Sequence, residues 1–186
     1  MTILGFPLAG STLIAGPSQA GKTQLTARAL ETWIDRQGAA DVVILEFGPE
    51  YEHGEIVLGR RLERYMDIPA EVWVGQVDAY APRAESETET ELRDFARENA
   101  RVVSERLSEA PDNPSAVFVN DTTLGFQHEH GDVDDLLRYC ETARVAVLNA
   151  FKSDELGTDD PVSKRERQIV ERLRTWADRT VLLDSR

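Results

Sequence analysis

Residues 16–23 read Gly16-Pro17-Ser18-Gln19-Ala20-Gly21-Lys22-Thr23, and the fold turns on what flanks them. Before them stands Ser11-Thr12-Leu13-Ile14-Ala15, apolar and β-branched with no sustained polar alternation. After them, Leu25, Ala29, Leu30, Trp33 and Ile34 recur at helical spacing. The stretch therefore joins a buried strand to an amphipathic helix, the setting in which G-x-x-x-x-G-K-[ST] holds a phosphate. Glycine permits the dihedrals that turn successive backbone N–H groups inward, and the helix start adds its positive end. The expected anion-binding set is Gly16, Pro17, Ser18, Gln19, Ala20, Gly21, Lys22, Thr23 and Gln24. Lys22 supplies a point charge to the β- and γ-phosphates, and Thr23 a hydroxyl to Mg2+.

Outward from the loop, the same kind of apolar run recurs at Val42–Leu45, Ala116–Val119, Val145–Leu148 and Thr180–Leu183. Such runs predict strands buried on both faces. Val72-Trp73-Val74 predicts a sixth strand at an edge. Further helical stripes are Leu92, Phe95, Ala96, Val102, Val103 and Leu107; Val133, Leu136, Leu137 and Cys140; and Ile169, Val170, Leu173, Trp176 and Ala177. Alternating strands and helices imply an α/β three-layer sandwich with a mostly parallel central sheet. No repeat or linker interrupts residues 1–186, so a single domain is expected. Residues 47–65 and 76–91 are irregular. In the second stretch, Glu85, Glu87, Glu89 and Glu91 suit a solvated helix entrance.

The chain holds 34 acidic and 21 basic residues, a formal net charge of -13. That balance opposes broad attraction to nucleic acid or to an anionic membrane, although a local basic groove stays open. Lysine occurs only at Lys22, Lys152 and Lys164. An acidic, lysine-poor surface suits a salt-rich, halophilic cytoplasm, with a GC-rich genome as the alternative. Cys140 is the sole cysteine, as in a reducing compartment. No apolar run approaches the roughly 18 residues that span a bilayer, and the opening residues lack a basic leader. The expected location is the cytoplasm.

A magnesium ion also needs a carboxylate at the end of a neighbouring strand. Val117-Phe118-Val119-Asn120-Asp121 offers Asp121, as a direct or water-mediated ligand. With loop, helix and carboxylate in place, the chain resembles P-loop NTPases. The narrower resemblance, to RecA/KaiC-like ATPases, rests on AGSTLIAGPSQAGKT (9–23), VFVNDTTLGF (117–126) and VAVLNAF (145–151). A strand-end Phe47-Gly48-Pro49-Glu50 also resembles poorly characterised archaeal P-loop proteins. The resemblance implies Mg-ATP as ligand and assembly into rings or filaments, hence a homo-oligomer or an unknown protein partner. It implies a polar sensor after the 145–148 strand, which is Asn149, facing the γ-phosphate or the water. Many relatives carry a glutamate after the metal-binding aspartate, where this chain has Thr122. RecA-like proteins take it instead from the strand after the loop helix, which offers Glu46, with Glu50 second. Lys22, Glu46 and Asn149 form the expected catalytic set.

Other candidates are weaker. Arg83, stiffened by Pro82, suits either transition-state charge or a solvated surface. His128, His130 and Asp132 lie close in sequence but lack a second ligand pair. Asn149 to Asp154 misses the spacing of the guanine-reading N-K-x-D motif, which leaves ATP the expected nucleotide. Three functions remain open: an ATPase driving a conformational or assembly change; a small-molecule or nucleotide kinase with Arg60, Arg61 and Arg64 as lid cations; and a nucleotide-dependent switch that recruits a partner without hydrolysis.

Overall fold

The computed structural model describes residues 4–185; Met1 to Ile3, part of the opening segment read for a leader, and Arg186 lie outside it. In chain order the elements are β1 (Gly10–Gly16), α1 (Lys22–Gln37), β2 (Val42–Glu46), β3 (Tyr51–His53), β4 (Ile56–Leu58), β5 (Trp73–Gln76), α2 (Pro82–Glu85), α3 (Glu89–Ser108), β6 (Ala116–Asn120), α4 (Val133–Glu141), β7 (Val145–Phe151), α5 (Pro161–Trp176) and β8 (Arg179–Leu182). Single 3-10 turns occupy Leu62–Arg64 and Thr122–Phe126.

Six strands form one sheet in the order β5-β2-β6-β7-β1-β8. Every neighbouring pair is parallel. The apolar runs are buried twice over because alternate residues face different helical layers. Leu13, Val43, Val117 and Ala146 pack with Val103 of α3, Leu136 of α4 and Leu173 of α5. Ile14, Ile44, Phe118 and Val147 pack on the other side, against Ala27, Leu30 and Trp33 of α1. Helices on both faces complete the expected α/β sandwich.

The edges differ in one respect from expectation. Val72-Trp73-Val74 does lead into the edge strand β5. Thr180–Leu183, read as buried on both faces, gives the opposite edge β8, and Leu182 is 56% exposed. An apolar run cannot by itself distinguish a central strand from an edge strand with one partner. Residues 47–65 contain the antiparallel hairpin β3–β4 and the Leu62–Arg64 turn. In the acidic stretch, Thr88 caps α3 by accepting from the Glu91 N–H, while Glu89 and Glu91 occupy the first turn, where the helix dipole favours them.

Parallel pairing brings all carboxyl ends to one edge of the sheet. Glu46 lies level with Asn120, and Gly16 with Phe151. β7 separates the loop strand β1 from β6, so Asn149 stands between the two. Cys140 is buried in the α4 layer, where burial pushes its thiol well above the usual range. No described helix is long and apolar enough to cross a membrane.

Candidate functional site

Gly21 adopts φ 95° and Gln19 φ 58°, so the loop folds back in the left-handed region just before α1 begins. That conformation is why a glycine precedes Lys22. Gly16 is required for a different reason. A Cβ there would come within 2.6 Å of the Leu183 carbonyl, just past the end of β8, which runs parallel beside β1. Lys22 is only 7% exposed, and its Nζ donates to the Pro17 carbonyl at 2.5 Å. Burial lowers its pKa, opposed by the carboxylates of Asp121, Glu155 and Glu166. The Ser18 N–H, one of the inward donors, is held by Glu155 Oε1 at 2.6 Å. A carboxylate therefore sits on the loop expected to hold the anion.

Asp121 follows β6 with φ 53° and ψ 52°, an uncommon conformation for a residue with a side chain. Its N–H donates to Asn149 Oδ1 at 2.8 Å, which holds the turn. Its Oδ2 is sealed from solvent without a hydrogen-bond partner among the described residues. Burial raises the Asp121 carboxyl to about 6, with Lys22 opposing and Glu166 adding to the rise. Gly48 makes room for it, because a Cβ there would lie 2.6 Å from that same Oδ2. A sealed, unpartnered carboxylate beside a buried lysine fits a site for a cation, and Thr23 on the same cavity supplies a hydroxyl.

That cavity is about 590 Å³, lined among others by Ser18, Gln19, Gly21, Lys22, Thr23, Gln24 and Asp121. Neither Glu46 nor Asn149 is among its lining residues. Glu46 is 3% exposed; its Oε1 accepts from the Leu62 N–H at 2.8 Å and its Oε2 from Asn120 Nδ2 at 2.9 Å. Asn120 Nδ2 also donates to the Arg60 carbonyl. Asn149 donates from Nδ2 to Thr26 Oγ1 and Asn120 Oδ1, and Thr26 donates on to the Lys22 carbonyl. The backbone ends of this chain of bonds fix every amide orientation in it, since carbonyls only accept and the Asp121 N–H only donates. In this geometry Asn149, expected as a sensor, braces Asp121 against α1 through its hydrogen bonds and is not among the residues that line the cavity. Glu46 anchors the Arg60–Leu62 segment.

Burial lifts the Glu46 carboxyl to about 7, against the Leu62 and Asn120 hydrogen bonds. The folded chain thus holds a proton that the unfolded chain releases near its ordinary value of about 4.5. Stability from this group is full below about 4.5 and falls as pH rises to about 7. Urea unfolding at pH 5 and pH 8 should show a smaller loss with pH in Glu46→Gln than in wild type. An unchanged pH dependence would mean that Glu46 reaches water.

Sequence reasoning missed the far wall of the cavity. Glu166, on α5, is 3% exposed and accepts from Thr123 Oγ1 at 2.7 Å and Gln127 Nε2 at 2.8 Å. Arg83 pairs with it at 2.7 Å. The signal was present: Glu166 stands four residues after Val162 and three before Ile169, inside the apolar stripe of α5. The expected lid cations are otherwise engaged. Arg61 pairs with Glu50 and Asp78, and Arg64 with Glu50 and Glu52, leaving Arg60 on the cavity. Glu50, second to Glu46, is held by those two arginines. His128 and His130 stack on one another and Asp132 caps α4. Among the described residues no cluster of three or more metal-ligating His, Cys, Asp or Glu side chains exists.

No protein-family model matches the chain, and no curated protein matches it in sequence. Among solved structures it is similar to a KaiC-like protein of the hyperthermophilic archaeon Pyrococcus horikoshii OT3, at 16% identity and a TM-score of 0.46, over 97% of this chain and 73% of that one. Its own all-parallel strand order, with helices on both faces and the glycine-turned loop between β1 and α1, gives the chain an α/β P-loop fold.

Proposed function

We propose that the protein binds a magnesium–nucleoside triphosphate at the 16–24 loop and hydrolyses it slowly, using the nucleotide to drive a conformational or assembly change. The observation that carries this reading is the sealed, unpartnered Asp121 carboxylate on the cavity that Lys22 lines. ATP is the nucleotide implied by the RecA/KaiC-like resemblance. Lys22 would exchange the Pro17 carbonyl for phosphate oxygens, and the loop N–H groups would donate to the anion once Glu155 withdraws from Ser18. Thr23 and Asp121 would hold Mg2+, which neutralises charge on the β- and γ-phosphates. The burial of Glu46 and the presence of Thr122 after Asp121 favour slow turnover, and so bring the switch reading close to the ATPase one.

The test is titration of Mg-ATP with phosphate release followed in parallel, in molar KCl. Lys22→Ala should weaken binding roughly 10- to 100-fold, the worth of charged hydrogen bonds to phosphate. Equal binding by both proteins would place the ligand elsewhere.

A further inference from the structure

We infer that Arg83 is the residue by which this site recognises the terminal phosphate of a nucleoside triphosphate; the inference rests on the nucleotide reading above. Three cationic side chains line the cavity: Lys22, Arg60 and Arg83. Arg60 is exposed, whereas the Arg83 side chain is only 13% exposed. Lys22 and Arg83 stand over the same ring, that of Phe151, at 5.9 Å and 5.3 Å from its centroid. The aromatic ring at the end of β7 therefore lies near both the loop lysine and an arginine 61 positions later in the chain.

The guanidinium is held in place before any ligand arrives. Its Nη1 donates to Ser163 Oγ at 3.1 Å and its Nη2 is ion-paired with Glu166 Oε1 at 2.7 Å, both on α5. Glu166 is itself fixed by Thr123 and Gln127. One of the five N–H donors of an arginine is thus engaged in a hydrogen bond among the described residues and an ion pair holds the group, which leaves donors for a ligand. Preorganisation of this kind removes the side-chain entropy that an exposed arginine loses on binding.

Asp121 offsets Lys22 and Glu166 offsets Arg83, so what Arg83 adds is its fork of N–H donors rather than net charge. A diphosphate reaches the loop and Lys22 but lacks the group that would extend to Arg83. Arg83 accordingly discriminates between the two nucleotides within a single chain.

The experiment compares ATP and ADP binding, each with Mg2+, in wild type, Arg83→Lys, Arg83→Gln and the double variant Arg83→Gln with Glu166→Gln. The double variant removes the carboxylate that the single one leaves unpaired, and thermal unfolding confirms that each protein is folded. The expected result is a loss of roughly 10- to 100-fold for ATP in both glutamine variants, with ADP changed less than about 2-fold. Arg83→Lys should fall between them, since it keeps the charge and loses the fork. Equal losses for the two nucleotides, or no loss, overturn the inference while leaving the nucleotide site standing. If wild type binds neither nucleotide, the reading beneath it fails as well.

Discussion

Glu166→Ala should lower the stability of the fold by about 3–5 kcal/mol, because it leaves the Arg83 guanidinium buried without its partner. It also strands Thr123 Oγ1 and Gln127 Nε2, which both donate to the same carboxylate oxygen. The pair ties α2, which follows the β5 edge, to α5 on the far side of the cavity. Replacing both partners together, as Arg83→Met with Glu166→Leu, should recover the part of the loss that comes from the unpaired guanidinium, while Thr123 and Gln127 stay without their acceptor. Urea denaturation of the two variants and wild type measures this directly. A loss below about 1 kcal/mol in Glu166→Ala is what an exposed pair gives, and would mean that water reaches Arg83.

Asp121→Asn should remove the magnesium dependence of nucleotide binding. In wild type, adding Mg2+ to EDTA-treated protein should tighten binding of ATP; in the variant that gain should shrink by roughly 10-fold or more. Without metal, the variant should bind at least as well as wild type, because a carboxylate no longer faces the phosphates. Asparagine is among the few residues that accept the left-handed backbone at this position, so the fold should survive. Retention of the full magnesium effect would take Asp121 out of the metal site and leave its raised pKa a matter of burial alone.

The layers and the loop were legible because each depends on local pattern. Five apolar runs and one short edge run produced six strands, and Gly21 marked the turn into α1. The side-chain network at the sheet edge was not legible in the same way. Glu46 and Asn149 do stand at or near the carboxyl ends of their strands, as their positions in the runs required. What covers Glu46 is the Leu62 amide, sixteen residues later. What occupies Asn149 is the Asp121 amide together with Thr26 and Asn120. Arg83 and Glu166 meet across 83 positions. A strand-end rule selects the edge of the sheet and says nothing about which loop then closes over it. The one available clue was a glutamate at a core position of an amphipathic helix, a placement that demands a buried cation.

If the Glu155 carboxylate must leave the Ser18 amide before an anion can bind there, the loop is open to nucleotide only in the fraction of molecules where that contact is broken. Nucleotide meets only the open fraction, so a titration reads the intrinsic dissociation constant divided by that fraction. On that condition the segment between β7 and α5 would set the concentration at which the loop fills, independently of how well the filled loop holds its ligand.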